Sequence, residues 1–91
     1  MRKAEQILND AKDIINGDRQ ADYGDATESL TAIAQMWSVY LGTHIRPDQV
    51  AVCMALLKAV RLRNGVHKDS ILDAAAYFAL SYEVAEDDDD A

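Results

Sequence analysis

Lys58 and Arg61 stand three residues apart, and Asp69, Asp73 and Tyr77 follow at intervals of four. On a helix, residues three and four apart share a face. A short turn, "NGVHK", separates the two sets, so two helices joined by it should lie antiparallel. Counting back from a turn near Val66 puts residue 61 opposite 71 and 58 opposite 74, which makes the two cations and the two acids neighbours. Such a group can close an interhelical salt-bridge network, with Asp69 as a helix N-cap. It can equally form a polar pocket. Lys58 and Arg61 would then hold phosphate oxygens, Arg through a bidentate fork. Asp69 and Asp73 would hold a divalent ion, because hard cations take carboxylate oxygens. Tyr77 would stack on or hydrogen-bond to a base or sugar. Magnesium is the cofactor that this second arrangement admits.

A second chemical cluster lies in the connection "INGDRQADYGDAT", residues 14–26. Arg19 offers a guanidinium, Tyr23 an aromatic face, and Gly24 a backbone that a ligand can approach closely. A helix N-terminus follows at once, with free N–H groups suited to an anion, although Asp25 competes for them as a cap. The alternative is an ordinary loop, with Asp18 and Asp22 forming turns and Tyr23 packing on the core.

Four helices must position these groups, near 2–16, 26–41, 47–63 and 70–85. In the first, Ala4, Ile7, Leu8, Ala11, Ile14 and Ile15 form one apolar stripe, and Asn16-Gly17 ends it with a left-handed glycine cap. The second starts at Asp25, with Glu28 three residues on as a capping box. It carries Leu30, Ile33, Ala34, Trp37 and Leu41, and stops at Gly42. Pro47 suits the first position of the third, which runs through Val50, Met54 and Leu57 to Asn64-Gly65. The fourth starts near Asp69-Ser70, with Ile71, Leu72, Ala75, Phe78, Ala79 and Tyr82 as its apolar positions. No segment alternates with period two. The fold class is therefore all-α, a four-helix, bundle-like single domain over residues 1–85, with helices three and four as an antiparallel hairpin.

The 91 residues are 49% apolar, enough for one small core. Met36, Trp37, Tyr40 and Met54 are more apolar surface than so small a bundle covers, so a homo-oligomer is expected. The formal charge of −7 is dominated by Glu86 and Asp87 to Asp90; without them nine basic residues face eleven acidic ones. No element carries the basic excess of a nucleic-acid binder. The like-charge run 86–91 is expected to be a solvated, disordered acidic tail. No apolar run approaches the ~18 residues of a membrane span and no leader pattern precedes the first helix. The expectation is a soluble cytoplasmic protein. The single cysteine, Cys53, lies in the apolar run 50–57 and is expected to be buried and inert. His44 and His67 sit at helix boundaries with no partner at ligand spacing, so they read as solvent or capping residues.

The segments "GDRQADYGD", "WSVYLG", "LLKAVRL" and "DSILDAAAYFAL" together resemble a small family of phage and prophage proteins of unknown function. Its pattern runs R-x-x-x-Y-G-D, W-x-x-Y-L-G, K-x-x-R and D-x-x-x-D-x-x-x-Y. Here it falls on Arg19, Tyr23, Gly24 and Asp25; on Trp37, Tyr40, Leu41 and Gly42; on Lys58 and Arg61; and on Asp69, Asp73 and Tyr77. The arrangement is also similar to phage domains associated with nucleotide modification and, more distantly, to MazG-like all-α nucleotide pyrophosphohydrolases. Those enzymes hold magnesium with E-x-x-E and E-x-x-D pairs on successive helices, whereas this chain has E-x-x-E only at Glu83/Glu86 and E-x-x-D only at Glu86/Asp89, both at the acidic end of the chain. The resemblance thus implies a phage-type protein that binds a phosphorylated nucleotide, to sequester or process it. The proposed ligand set is Arg19, Tyr23, Gly24, Lys58, Arg61 and Tyr77, with Asp69 and Asp73 for a metal. A phage protein that inhibits a host protein through its acidic surface and tail is the second reading. A magnesium-dependent pyrophosphohydrolase is the third.

Overall fold

The computed structural model describes residues 1–17 and 25–85. Four α-helices are found there: α1 (Lys3–Asn16), α2 (Ala26–Leu41), α3 (Pro47–Val60) and α4 (Lys68–Glu83), with a 3-10 turn over Arg61–Asn64. No strand occurs among the described residues. The expectations for Arg19, Tyr23 and Gly24 and for the acidic tail fall outside them. So does the α1–α2 connection.

The all-α expectation holds, and the helix ends show why. Asp25 caps α2, its carboxylate accepting the Thr27 N–H at 2.9 Å, while Glu28 stays exposed. Gly42 closes α2 in the left-handed region at φ 69°, where a side chain would be strained. Ser38 then fixes the exit. Its hydroxyl donates to the Ala34 carbonyl at 2.7 Å and accepts the Ile45 N–H at 2.8 Å. That bond turns the chain so that Ile45 packs on the core and Pro47 reaches the first position of α3. The Gln49 side chain accepts the Arg46 N–H at 2.9 Å, satisfying one donor at this end, and the Arg46 guanidinium meets Asp48 at 3.1 Å.

Several expectations are corrected. Gly17 is extended, at φ −104°, not left-handed. Glycine is nevertheless required, because a Cβ there would collide with the carbonyl oxygen of Asp13. The third helix ends at Val60 and tightens into the 3-10 turn, three residues before its expected end. The fourth begins at Lys68 with His67 as N-cap, so Asp69 lies inside the first turn instead of capping it.

The α3–α4 hairpin is the centre of the molecule, with α1 laid against α4 and α2 against α3. Leu30 and Ala34 of α2 bury against Val50 and Ala51 of α3, and Ile33, Trp37, Ile45, Met54, Leu80 and Val84 pack around them. The placement of Trp37 agrees with its apolar stripe. The inward face of α4 differs from the expected one: Ser70 and Ala76 are buried and Leu80 and Val84 join the core, while Phe78 and Tyr82 face out. Cys53 is exposed, not buried. The core takes Val50, Ala51, Met54 and Ala55 from α3, and at 3.6 residues per turn this sends Cys53, Leu56 and Val60 to the other side, with Leu57 half exposed at the edge of the core face. Met36, Val39 and Tyr40 of α2 are also exposed, Tyr40 at 88%.

Ser38→Ala should test the exit of α2. It leaves the Ile45 N–H without its acceptor at a half-buried site, and the loss should be about 1–3 kcal/mol in urea unfolding. A change below about 0.5 kcal/mol, the level of an ordinary surface substitution, would show that the loop is held by other contacts.

Candidate functional site

The residues singled out in the hairpin divide into two groups. The first lies between the helices. Lys58, in the last turn of α3, places Nζ 3.2 Å from Oδ2 of Asp73 in the middle of α4. The side chains are only 18% and 13% exposed, so water screens the pair weakly. This is the neighbour relation that the antiparallel hairpin predicts. Tyr77 follows one turn further along α4 and is half-buried.

The second group surrounds the turn. Arg61, Asn64, Val66, His67, Lys68, Asp69 and Ser70 line an open pocket of about 600 Å³. Gly65, at φ 131°, lets the chain leave the 3-10 turn and enter α4 three residues later. Because the connection is so short, the start of α4 stands beside Arg61. Lys68 also reaches α1, with Nζ 3.4 Å from Oδ2 of Asp10. That pair is largely exposed and therefore weak.

The structure thus places Arg61 and Asp69 around one pocket and Lys58 against Asp73, and splits the expected single constellation into a covered ion pair and an open polar pocket. Asn64, Lys68 and Ser70 belong to that pocket and were not singled out from the sequence, and His67, read there as a solvent or capping residue, joins them as the N-cap residue of α4. For Asn64, His67 and Lys68 the signal was present in the four-residue spacing from Arg61 to the turn glycine, once α4 is started at Lys68 instead of Ser70. As for a metal, Asp73 already faces an ammonium. No group of three or more His, Cys, Asp or Glu side chains suited to a metal ion occurs among the described residues. Two carboxylates fall short of the six oxygens that magnesium takes, so an ion held by Asp69 and Asp73 would draw its other ligands from phosphate and water.

The covered pair makes its own forecast. Lys58→Met and Asp73→Asn should each cost about 1–3 kcal/mol, between the values for exposed and fully buried pairs. A double-mutant cycle should give a coupling of at least about 0.5 kcal/mol. Additive losses would show that the two side chains contribute separately.

Comparison with known proteins adds kinship. No solved structure matches the chain. It is 48% identical over 73 residues to the Gene 55 protein of Mycobacterium phage L5, an alignment covering 78% of this chain and 47% of that protein. It is 39% identical over 75 residues to the Gene 55 protein of Mycobacterium phage D29, covering 81% of this chain and 50% of that one. The chain spans about half the length of these curated relatives. Residues 6–85, nearly all of the described helices, match the family model described as "Domain of unknown function (DUF6378)". With its hairpin, its covered ion pair and its polar turn lying inside the matched region, the chain belongs to the DUF6378 family, to which its phage relatives point as well.

Proposed function

We propose that this protein is a phage-type nucleotide-binding protein that takes a phosphorylated nucleotide on the α3–α4 hairpin. The observation that carries the reading is the turn pocket, where Arg61, His67 and Lys68 stand beside the start of α4. A guanidinium, an imidazole and an ammonium around a helix N-terminus are a donor set for phosphate oxygens. Tyr77 lies eight residues along α4 from Asp69, about 12 Å at 1.5 Å per residue. That separation suits a ligand with a phosphate at one end and a base at the other. Lys58 and Asp73 then serve mainly to hold the hairpin that presents both ends. Arg19, Tyr23 and Gly24 are proposed to complete the site. Among the described residues no helix is long and apolar enough to cross a membrane, and the proposed place of action is the host cytoplasm.

Self-association is proposed as part of the same picture. Leu56, Leu57 and Val60, each about half exposed, and the exposed Cys53 form an uncharged stripe on α3. A second copy can cover it without bringing like charges together. Light scattering at micromolar concentration should give at least twice the 10.0 kDa chain mass, and a clean monomer would dismiss this.

The nucleotide reading is tested by thermal shift. Nucleoside mono-, di- and triphosphates, with and without magnesium, should raise the melting temperature, because a ligand that binds only the native state stabilises it by mass action. Arg61→Ala should weaken binding tenfold or more, the equivalent of the ~1.5–3 kcal/mol of a charge-assisted hydrogen bond, and leave folding intact because Arg61 is exposed. A flat screen on well-folded protein would end the reading and favour binding to a host protein instead.

A further inference from the structure

We infer that the first turn of α4 is a phosphate subsite, formed by the backbone amides of Lys68, Asp69 and Ser70, the Ser70 hydroxyl and the Arg61 guanidinium. The inference deepens the nucleotide reading and rests on it for the rest of the ligand. Its chemistry is that of a phosphate group, whether carried by a nucleotide or free.

Three observations converge on this turn. The first backward hydrogen bond of α4 runs from Ile71 N–H to the His67 carbonyl at 3.1 Å. The amides of residues 68, 69 and 70 therefore have no partner inside the helix, and His67 supplies no side-chain cap bond. Ser70 is the second observation. It is only 5% exposed and is the one buried polar residue among those described. Its hydroxyl has no hydrogen-bond partner in the described protein. Every side-chain nitrogen or oxygen sealed from solvent among the described residues has a partner. The unpaired hydroxyl must therefore keep an opening to solvent, and the space that Ser70 lines is the turn pocket. A hydroxyl with no protein partner, on a residue that is only 5% exposed and lines an open polar pocket, can exchange its water for a ligand acceptor at little cost in buried surface.

Charge is the third observation. Arg61 lines the same pocket and forms no ion pair with a described residue, so its fork is available for two phosphate oxygens. Lys68 adds a second cation, shared with Asp10. Asp69 opposes an anion, but its carboxylate is exposed and water-screened, whereas the Ser70 hydroxyl is held inside. A tetrahedral phosphate presents several acceptor oxygens at once, and amides, hydroxyl and guanidinium match it with donors from three directions.

The test is a titration of the ¹⁵N-labelled full chain, at constant ionic strength, with inorganic phosphate and separately with deoxynucleoside triphosphates. The expected result is saturable shifts at the amides of Lys68, Asp69 and Ser70 with both probes. Ser70→Ala, close in size and buried in the same way, should keep the fold and weaken binding about threefold to tenfold. Arg61→Ala should weaken it about tenfold or more. Saturable phosphate binding at these amides with no gain from the nucleoside would support the subsite and overturn the nucleotide reading. Nucleotide binding that leaves the three amides unmoved would overturn the subsite and leave the nucleotide reading in place. Undiminished binding by Ser70→Ala, or no saturable shift with either probe, would also overturn the subsite.

Discussion

The close approach of α3 to α4 is the constraint on which the rest of this structure depends. Ala51 and Ala55 on α3 and Ala76 on α4 are all buried, and the two helices share the most extensive interface in the molecule. Small side chains bring helix axes toward the lower end of the usual 8–10 Å separation. The gain is a rigid hairpin, and the cost is buried volume. Val50 is the largest fully buried side chain, so the apolar area removed from water, which drives folding, is limited. Large apolar side chains that an ordinary bundle would enclose, Met36, Val39, Leu56, Phe78 and Tyr82 among them, are left on the outside. A core of alanines thus produces both a firmly held pair of helices and a surface unusually rich in apolar groups for its size.

The same approach explains why the polar groups sit where they do. A lysine and an aspartate pointing into a wide interface would be solvated and would contribute little. Between helices this close, Lys58 and Asp73 meet at 3.2 Å with most of their surface covered. Charges so placed stabilise the matched pairing less than they penalise a shifted one, since a slipped register would leave each charge covered and alone. The pair therefore favours the observed register of α3 against α4 over a slipped one. Register in turn decides that Arg61 stands beside the first turn of α4, and a short connection through Gly65 leaves the turn pocket open.

Much of this could be read in the sequence, and the exceptions have physical causes. Helix existence followed from apolar spacing and from Asp25, Gly42 and Pro47, whose effects are local. The Lys58–Asp73 contact followed from counting across a short turn. The helix ends at the hairpin were misjudged because the 3-10 turn over Arg61–Asn64 continues the chain direction of α3 without its hydrogen-bond pattern. The inward face of α4 was misjudged because large apolar residues were taken to mark the core. In a hairpin built on alanine the inward face is marked by small residues, with Ser70, Asp73 and Ala76 inside and Phe78 and Tyr82 outside. The same error hid Cys53, which lies in an apolar run but turns away from the core. Ser70 carried no chemical signal in the sequence. Its interest arises only from burial beside a pocket, which is a property of packing.

The position of Asp69 bears on what kind of anion the proposed phosphate subsite would hold. A carboxylate in the first turn already draws favourable energy from the positive end of the helix dipole. An incoming anion must compete with that charge, so the amides alone do not favour it by much. The balance is set by the groups that Asp69 cannot satisfy from the surface. The Ser70 hydroxyl is buried, and the Arg61 guanidinium approaches from the preceding turn. A simple monoanion offers too few acceptors to engage both together with the amides. A phosphate group offers enough, and if a magnesium ion accompanies it Asp69 changes from an opposing charge to an oxygen ligand. In the proposed subsite Asp69 would therefore act against lone small anions and would tolerate metal-chelated phosphates, the form in which nucleoside triphosphates meet most protein sites.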